Sequence, residues 1–275
     1  MSLNLPLPGW SMTKSVTATL VGILVREGRL DVNAPTGIPE WSAVDDPRRS
    51  ITLDLLLRMT AGLDIIEDGS GADPNSVMLY MQPDGAGYSA SRPLYTDPNT
   101  AFNYMSGCTV LASRLVREAV GGTLAEAHAF VREEIFDPLE MSTAVLEPDE
   151  SGTFIGSSFM LASARDWARF GQLYLQRGVW RGRRIVTEDW IDYVTTPTTL
   201  SPDQRYGAGF WLNPDQAHWP DLPADSFAAT GWQGQFTFII PSRKLVIVRL
   251  GASRVASRAQ EFAAGVIASL RGMNP

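Results

Sequence analysis

The feature that most limits how this chain can fold is the run from Trp10 to Leu24, in which Ser11 and Lys14 open an otherwise apolar helix. From Thr13 to Glu27 the residues Val16, Leu20, Ile23 and Leu24 recur at helical spacing, and Gly28 marks the stop. A helix this apolar has to be buried on most sides, so the rest of the chain must wrap around it. The spacing i, i+3 puts the Ser11 hydroxyl and the Lys14 amine on one face, close enough to share a proton. Residue choice sharpens the point: among 23 Lys and Arg, only Lys14 and Lys244 are lysines. Arginine keeps its proton at any pH a protein survives, whereas a desolvated lysine can release it. A Ser and Lys three apart also arise by chance, with Ser11 as a helix cap and Lys14 in solvent, so the remaining chain has to supply the rest of a site.

At 275 residues the chain can bury a sizeable core, as one large domain or two lobes. A net charge of −7 with no run of Lys and Arg argues against nucleic acid or an anionic membrane as partner. One cysteine, Cys108, excludes an intrachain disulfide and a thiolate cluster; with only His128 and His218 besides, neither a metal nor another cofactor is expected. Cys108 lies among small and apolar residues and reads as a buried, inert thiol. No apolar run is long enough to span a bilayer, and the first residues lack the charged start and apolar core of a signal peptide. Localisation stays open, with the cytoplasm as the default.

Taken in order, Thr52 caps a short helix to Met59, and residues 64–99 form the least regular stretch, rich in Gly, Asp, Pro and Ser. That stretch holds Asp64, Glu67, Asp68, Asp73, Asp84 and Asp97 against one Arg92. It reads either as a solvated acidic loop or as a substrate mouth favouring a cation. Helical patterns resume at Thr109–Val120, Leu124–Phe136, Ala162–Gln176 and from Thr187. His128, alone among alanines, reads as structural. After Arg205 the period becomes two: Tyr206–Leu212, Gln235–Ile240 and Leu245–Leu250 read as strands, and Ala256–Arg271 as a closing helix. The expected class is α+β, an antiparallel sheet flanked by helices plus a mostly helical lobe at about 30–160, with the sheet lobe at 1–29 and 161–275, all forming one catalytic unit.

A serine nucleophile needs a base and an oxyanion stabiliser. Neither histidine sits where a Ser-His-Asp triad needs it: His218 reads as lining a turn-rich surface, and no Gly-x-Ser-x-Gly elbow is present. The proton must then move by lysine or tyrosine, and Tyr104, two residues before Ser106 at a helix start, is the candidate. Ser11-Met12-Thr13-Lys14, Tyr104-Met105-Ser106 and Ala229-Thr230-Gly231 stand in the order of three motifs, Ser-x-x-Lys, Tyr-x-Asn/Ser and Lys/His-x-Gly. In these the chain resembles the serine β-lactamase-like hydrolases. The runs Leu56–Leu63, Ile135–Met141 and Ala162–Gly171 resemble that family's "LLxMTSGL", "IFxPLGM" and "SARDxARFG", so the resemblance extends from Trp10 to Leu250.

The resemblance implies a β-lactamase/transpeptidase-like fold and an acyl-enzyme on Ser11. Lys14 and Tyr104 would share the base role as a coupled pair, which of them is the base being left open. The N–H groups of Ser11 and Trp232 would form the oxyanion hole after Gly231, and Ser106 would hydrogen-bond Lys14 or the substrate. Ala229 stands where β-lactamases and D-Ala-D-Ala peptidases carry the cation that meets the substrate carboxylate. The branch with 6-aminohexanoate-dimer hydrolases and related esterases is the better match, which implies a small-molecule ester or small linear amide as substrate. A β-lactamase or D-Ala-D-Ala carboxypeptidase, and a non-catalytic binding member, stand as alternatives. Trp10, Trp232 and the loop tyrosines would line the acyl pocket. Asn99, where the family has Gly, and Glu140, in "PLGM", are expected to affect turns only. The family usually has a helix and two strands ahead of the nucleophile, so a truncated front with an unpaired sheet edge is expected; a homo-oligomer stays open.

Overall fold

The computed structural model describes residues 4–253 and 257–271. Everything is assembled around helix α1 (Thr13–Arg26), whose residues Thr13 to Leu24 are all buried. Burying its hydroxyls would be costly if they had no partners. Each finds one: Ser15 Oγ donates to Gly209 O at 2.6 Å, Thr17 Oγ1 to Gly156 O at 2.8 Å, and Thr19 Oγ1 meets the Tyr174 hydroxyl at 2.7 Å. The helix ends in a Schellman turn, with Arg29 N bonded to Leu24 O at 2.8 Å and Gly28 at φ 68°, a left-handed conformation that glycine adopts without strain.

The chain enters through strand β1 (Leu7–Pro8), which pairs antiparallel with β3 (Met160–Ala162), itself paired with β2 (Val145–Leu146). Helix α5 (Ser106–Val120) packs on α1, and α2 (Leu53–Leu57), α3 (Pro74–Met81), α4 (Gly85–Ser91) and α6 (Leu124–Val131) pack on α5. Then follow α7 (Ala164–Leu175), the small hairpin β4 (Val179–Trp180) and β5 (Arg183–Arg184), and α8 (Glu188–Thr195). The main sheet runs β6 (Trp211–Leu212), β7 (Phe227–Gly231), β8 (Gln235–Ile240), β9 (Leu245–Arg249), antiparallel throughout, with α9 (Ser257–Arg271) after it.

All six residues of β8 are buried, because both faces of the sheet are covered. Phe236, Phe238 and Ile240 pack with Trp219, Ala263 and Ile267 on the α9 side, while Ile239 joins the core around α1. β9 closes the order of the sheet and has no outer strand neighbour among the described residues. No helix among them is long and apolar enough to cross a membrane.

Three sequence expectations need correction. The stretch 64–99 is not structureless. Asp73 caps α3 by accepting from Ser76 N at 2.9 Å, and Asp84 caps α4 by accepting from Gly87 N at 2.8 Å, so side-chain caps start two helices that composition alone conceals. The strand expected at Tyr206–Leu212 shrinks to Trp211–Leu212, because Gly209 at φ 80° turns the chain back and Gly207 N bonds Phe210 O. The helix expected to Phe136 ends at Val131 and continues as a π-turn over Arg132–Phe136. The closing helix begins at Ser257; its expected first residue, Ala256, lies outside the described residues.

Candidate active site

Ser11 sits not in the α-helix but on a 3₁₀ turn, Trp10–Met12, that leads directly into α1. Trp10 adopts φ 49°, a left-handed conformation that a bulky L-residue holds only under constraint. The constraint is visible: Gly9 N is tied to Met160 O at 2.8 Å, Thr13 Oγ1 donates to Trp10 O at 2.7 Å, and the Trp10 indole packs edge to face on Trp232 with centroids 5.6 Å apart. The serine is thus held at a fixed angle to the helix below it.

Lys14 is 2% exposed, and its Nζ has three oxygen neighbours: Ser11 Oγ at 3.1 Å, Ser106 Oγ at 3.2 Å and Ser157 O at 3.2 Å. No carboxylate lies within ion-pair distance of Nζ among the described residues. Ser106 opens α5, and its position is set by α3, because Asn75 Oδ1 accepts from Ser106 N at 3.1 Å. Ser106 Oγ donates in turn to Glu67 Oε2 at 3.2 Å. Tyr104 brings its ring rather than its hydroxyl to the lysine, with Nζ 4.8 Å from the ring centroid, and is wedged against Tyr206 and Trp211. Ser11, Lys14, Tyr104 and Ser106 therefore converge.

The end of β7 forms the facing wall. Gly231 has to be glycine because a Cβ there would overlap the Gly9 carbonyl oxygen. Ala229 is buried opposite Thr237, whose Oγ1 lies 3.9 Å from the Met12 sulfur, so position 229 faces the turn that carries Ser11 and offers no charge. Trp232, just past the strand, is 65% exposed. Beside the strand end lies a cavity of about 340 Å³ walled by Trp211, His218, Trp219 and Phe236 together with Thr230 and Gly231.

His218, read from the sequence as lining a turn-rich surface, does so half-buried, in the wall of this cavity. It stacks on Trp219 with centroids 4.2 Å apart, and its Nδ1 lies 3.2 Å from Leu212 O. A carbonyl can only accept, so Nδ1 carries the proton and Nε2 keeps a lone pair. Burial pushes its pKa down to about 4, so the imidazole is neutral at pH 7. Sequence reasoning gave this residue no role, since the aromatic neighbours that bury it come from either side of a turn. The loop tyrosines are placed otherwise than expected: Tyr80 and Tyr95 are exposed, and Tyr88 stands beside the Arg92 guanidinium. His128 is exposed on α6. Cys108 is fully buried on α5, and burial raises its thiol pKa to about 12, as expected for an inert thiol.

The geometry is that of a buried lysine holding a serine at the mouth of a cleft between a helical layer and a sheet edge. The family model described as Beta-lactamase matches residues 3–270. The chain belongs to the β-lactamase family. A curated relative, the 6-aminohexanoate-dimer hydrolase of Paenarthrobacter ureafaciens, is 25% identical over 264 residues, which cover 88% of this chain and 65% of that protein. This β-lactamase-family chain thus spans just under two thirds of that relative's length. A candidate 6-aminohexanoate-dimer hydrolase of Bacillus anthracis superposes with a TM-score of 0.80 at 20% identity, covering 100% of this chain and 75% of the other. A β-lactamase of Mycobacterium bovis gives 0.70 at 18% identity over 98% and 88% of the two chains, and a family VIII carboxylesterase 0.73 at 18% over 96% and 83%. The fold is β-lactamase/transpeptidase-like, α+β, as the sequence led one to expect.

Proposed function

We propose that this chain is a serine hydrolase that cleaves esters or small linear amides through an acyl-enzyme on Ser11. The observation that carries the reading is the buried Lys14 amine 3.1 Å from the Ser11 hydroxyl, with no histidine among the hydrogen-bond partners described for the amine. Ser11 Oγ attacks the substrate carbonyl as its proton passes to the Lys14 amine, and the C–O bond to Ser11 forms as the carbonyl becomes an oxyanion. The N–H groups of Ser11 and Trp232 stabilise that oxyanion. Collapse breaks the bond to the leaving alcohol or amine, which takes the proton back from Lys14. Water then cleaves the ester by the reverse relay and frees Ser11.

Two features support a substrate without a carboxylate near the reacting bond. Ala229 is small, buried and uncharged, and the acid linked to the network, Glu67, repels an anion. Relatives named as a 6-aminohexanoate-dimer hydrolase and a carboxylesterase fit the same class better than a penicillin-hydrolysing activity does. The cavity walled by Trp211, His218, Trp219 and Phe236 suits a compact apolar group.

The test is intact-protein mass spectrometry after incubation with a fluorophosphonate, beside Ser11→Ala, with p-nitrophenyl acetate and butyrate hydrolysis followed in parallel. A single adduct that disappears in Ser11→Ala, together with ester turnover, is expected. A folded, monodisperse protein that takes up no adduct would remove the enzymatic reading.

A further inference from the structure

The hydrogen count around Lys14 gives Glu67 a task. The Ser106 hydroxyl has one hydrogen, and that hydrogen points outward to Glu67 Oε2 at 3.2 Å. Ser106 Oγ can therefore only accept from Lys14, 3.2 Å away, and so can the carbonyl of Ser157. A neutral lysine amine has two N–H bonds and one lone pair. Nζ lies within donating distance of all three oxygens, but to take the Ser11 proton the amine has to be neutral; with its two N–H bonds then spent on Ser106 and Ser157, the lone pair is left for Ser11, 3.1 Å away.

We infer that Glu67 is a positioning residue that fixes the polarity of this network, so that the Lys14 lone pair faces the nucleophile. Without the carboxylate, Ser106 gains a second arrangement in which it donates its own hydrogen to Nζ and competes with Ser11 for the single lone pair. Glu67 has a further effect once the Ser11 proton has moved. Lys14 is then an ammonium, 2% exposed, and among the described residues the carboxylate joined to it by hydrogen bonds is Glu67, through Ser106.

The placement of Glu67 is built into the fold. The Asn75 backbone N–H donates to Ile66 O at 3.2 Å while its side-chain Oδ1 accepts from Ser106 N at 3.1 Å, so one buried residue clips the segment carrying Glu67 to the helix end carrying Ser106. The one basic residue of that stretch, Arg92, is engaged by Asp64 at 3.1 Å, which leaves the Glu67 charge for Ser106.

The inference rests on Ser11 being the nucleophile, and its test separates the two. Wild type, Glu67→Ala, Glu67→Gln, Ser106→Ala and the Glu67→Ala/Ser106→Ala double variant are compared in fluorophosphonate labelling rate and in kcat and KM for p-nitrophenyl butyrate, after circular dichroism has shown each to be folded. Glu67→Ala should lower labelling rate and kcat about tenfold with KM nearly unchanged, the size of one charge-assisted hydrogen bond. Glu67→Gln should recover part of this, because its amide oxygen still accepts from Ser106. In the Ser106→Ala background Glu67→Ala should cost nothing further, because its effect passes through Ser106. A labelling rate unchanged in Glu67→Ala, or the same tenfold loss with Ser106 already removed, overturns the inference while leaving Ser11 as nucleophile. A wild type that takes up no adduct at Ser11 overturns both.

Discussion

Replacing His218 by Asn should make the protein less sensitive to acid. The imidazole is held neutral because burial between Trp211 and Trp219 lowers its pKa to about 4 from an unfolded value of 6.5. Above about pH 6.5 the ring is neutral in both states and has no effect on the balance. As pH falls below that, the unfolded chain takes up a proton that the folded one refuses, so stability is lost progressively until the folded pKa is reached. Each pH unit in that window is worth up to about 1.4 kcal/mol, and with a discount for the ring's partial exposure about 2 kcal/mol disappears between roughly pH 7 and pH 4.5. Asn can keep the donor to Leu212 O and does not titrate. Urea unfolding of both proteins at the two pH values measures the difference: wild type should lose about 2 kcal/mol more than His218→Asn on acidification. Equal losses would mean that the ring is protonated in the folded state, and the buried, lone-pair-bearing His218 described above would be wrong.

Two further outcomes follow from single residues. Cys108 is fully buried with its thiol pKa raised to about 12, so iodoacetamide at pH 8 should leave the native protein unmodified and alkylate it fully in urea, as read by mass spectrometry. Glu140 holds φ 55° at a turn, and Glu140→Gly should raise the melting temperature by a few degrees, because relief of about 1 kcal/mol of backbone strain exceeds the exposed ion pair to Arg181 that is lost; an unchanged or lower value would show that the pair outweighs the strain.

The parts of this fold that could be read from the sequence are those in which local pattern and tertiary role agree. Helix α1 is apolar at helical spacing and is buried all round, so its periodicity and its place in the core tell the same story. Strands β8 and β9 carry their pattern up to a tight turn at Pro241–Arg243. Asn99 and Glu140, read as turn effects, both stand at positive φ where a glycine would be at ease. Helices α3 and α4 escaped notice because Pro74, Gly85 and Gly87 have low helix propensity, and what stabilises them is burial of Met78, Ala86 and Ala90 against the core. At the site, Ser11 and Lys14 were visible because they stand three positions apart, with two residues between them. Glu67 was visible only as one acid among several, since its bond to Ser106 spans 39 positions and no local spacing encodes it.

The lysine network also has a bearing on how the molecule comes into being. Two of the three contacts of Lys14 Nζ close over separations of 92 and 143 residues. Contacts of such long range are slow to form, since much chain entropy is lost before they return any stability. On a refolding chain α1 can coil early, with Ser11 and Lys14 already neighbours, yet the amine has neither its orientation nor its dry surroundings until α5 and the segment before β3 have docked. On the proposed reading of Ser11 as nucleophile, its labelling would report the last stage of assembly, and a stopped-flow labelling experiment would follow completion of the native state while ellipticity follows only its beginning.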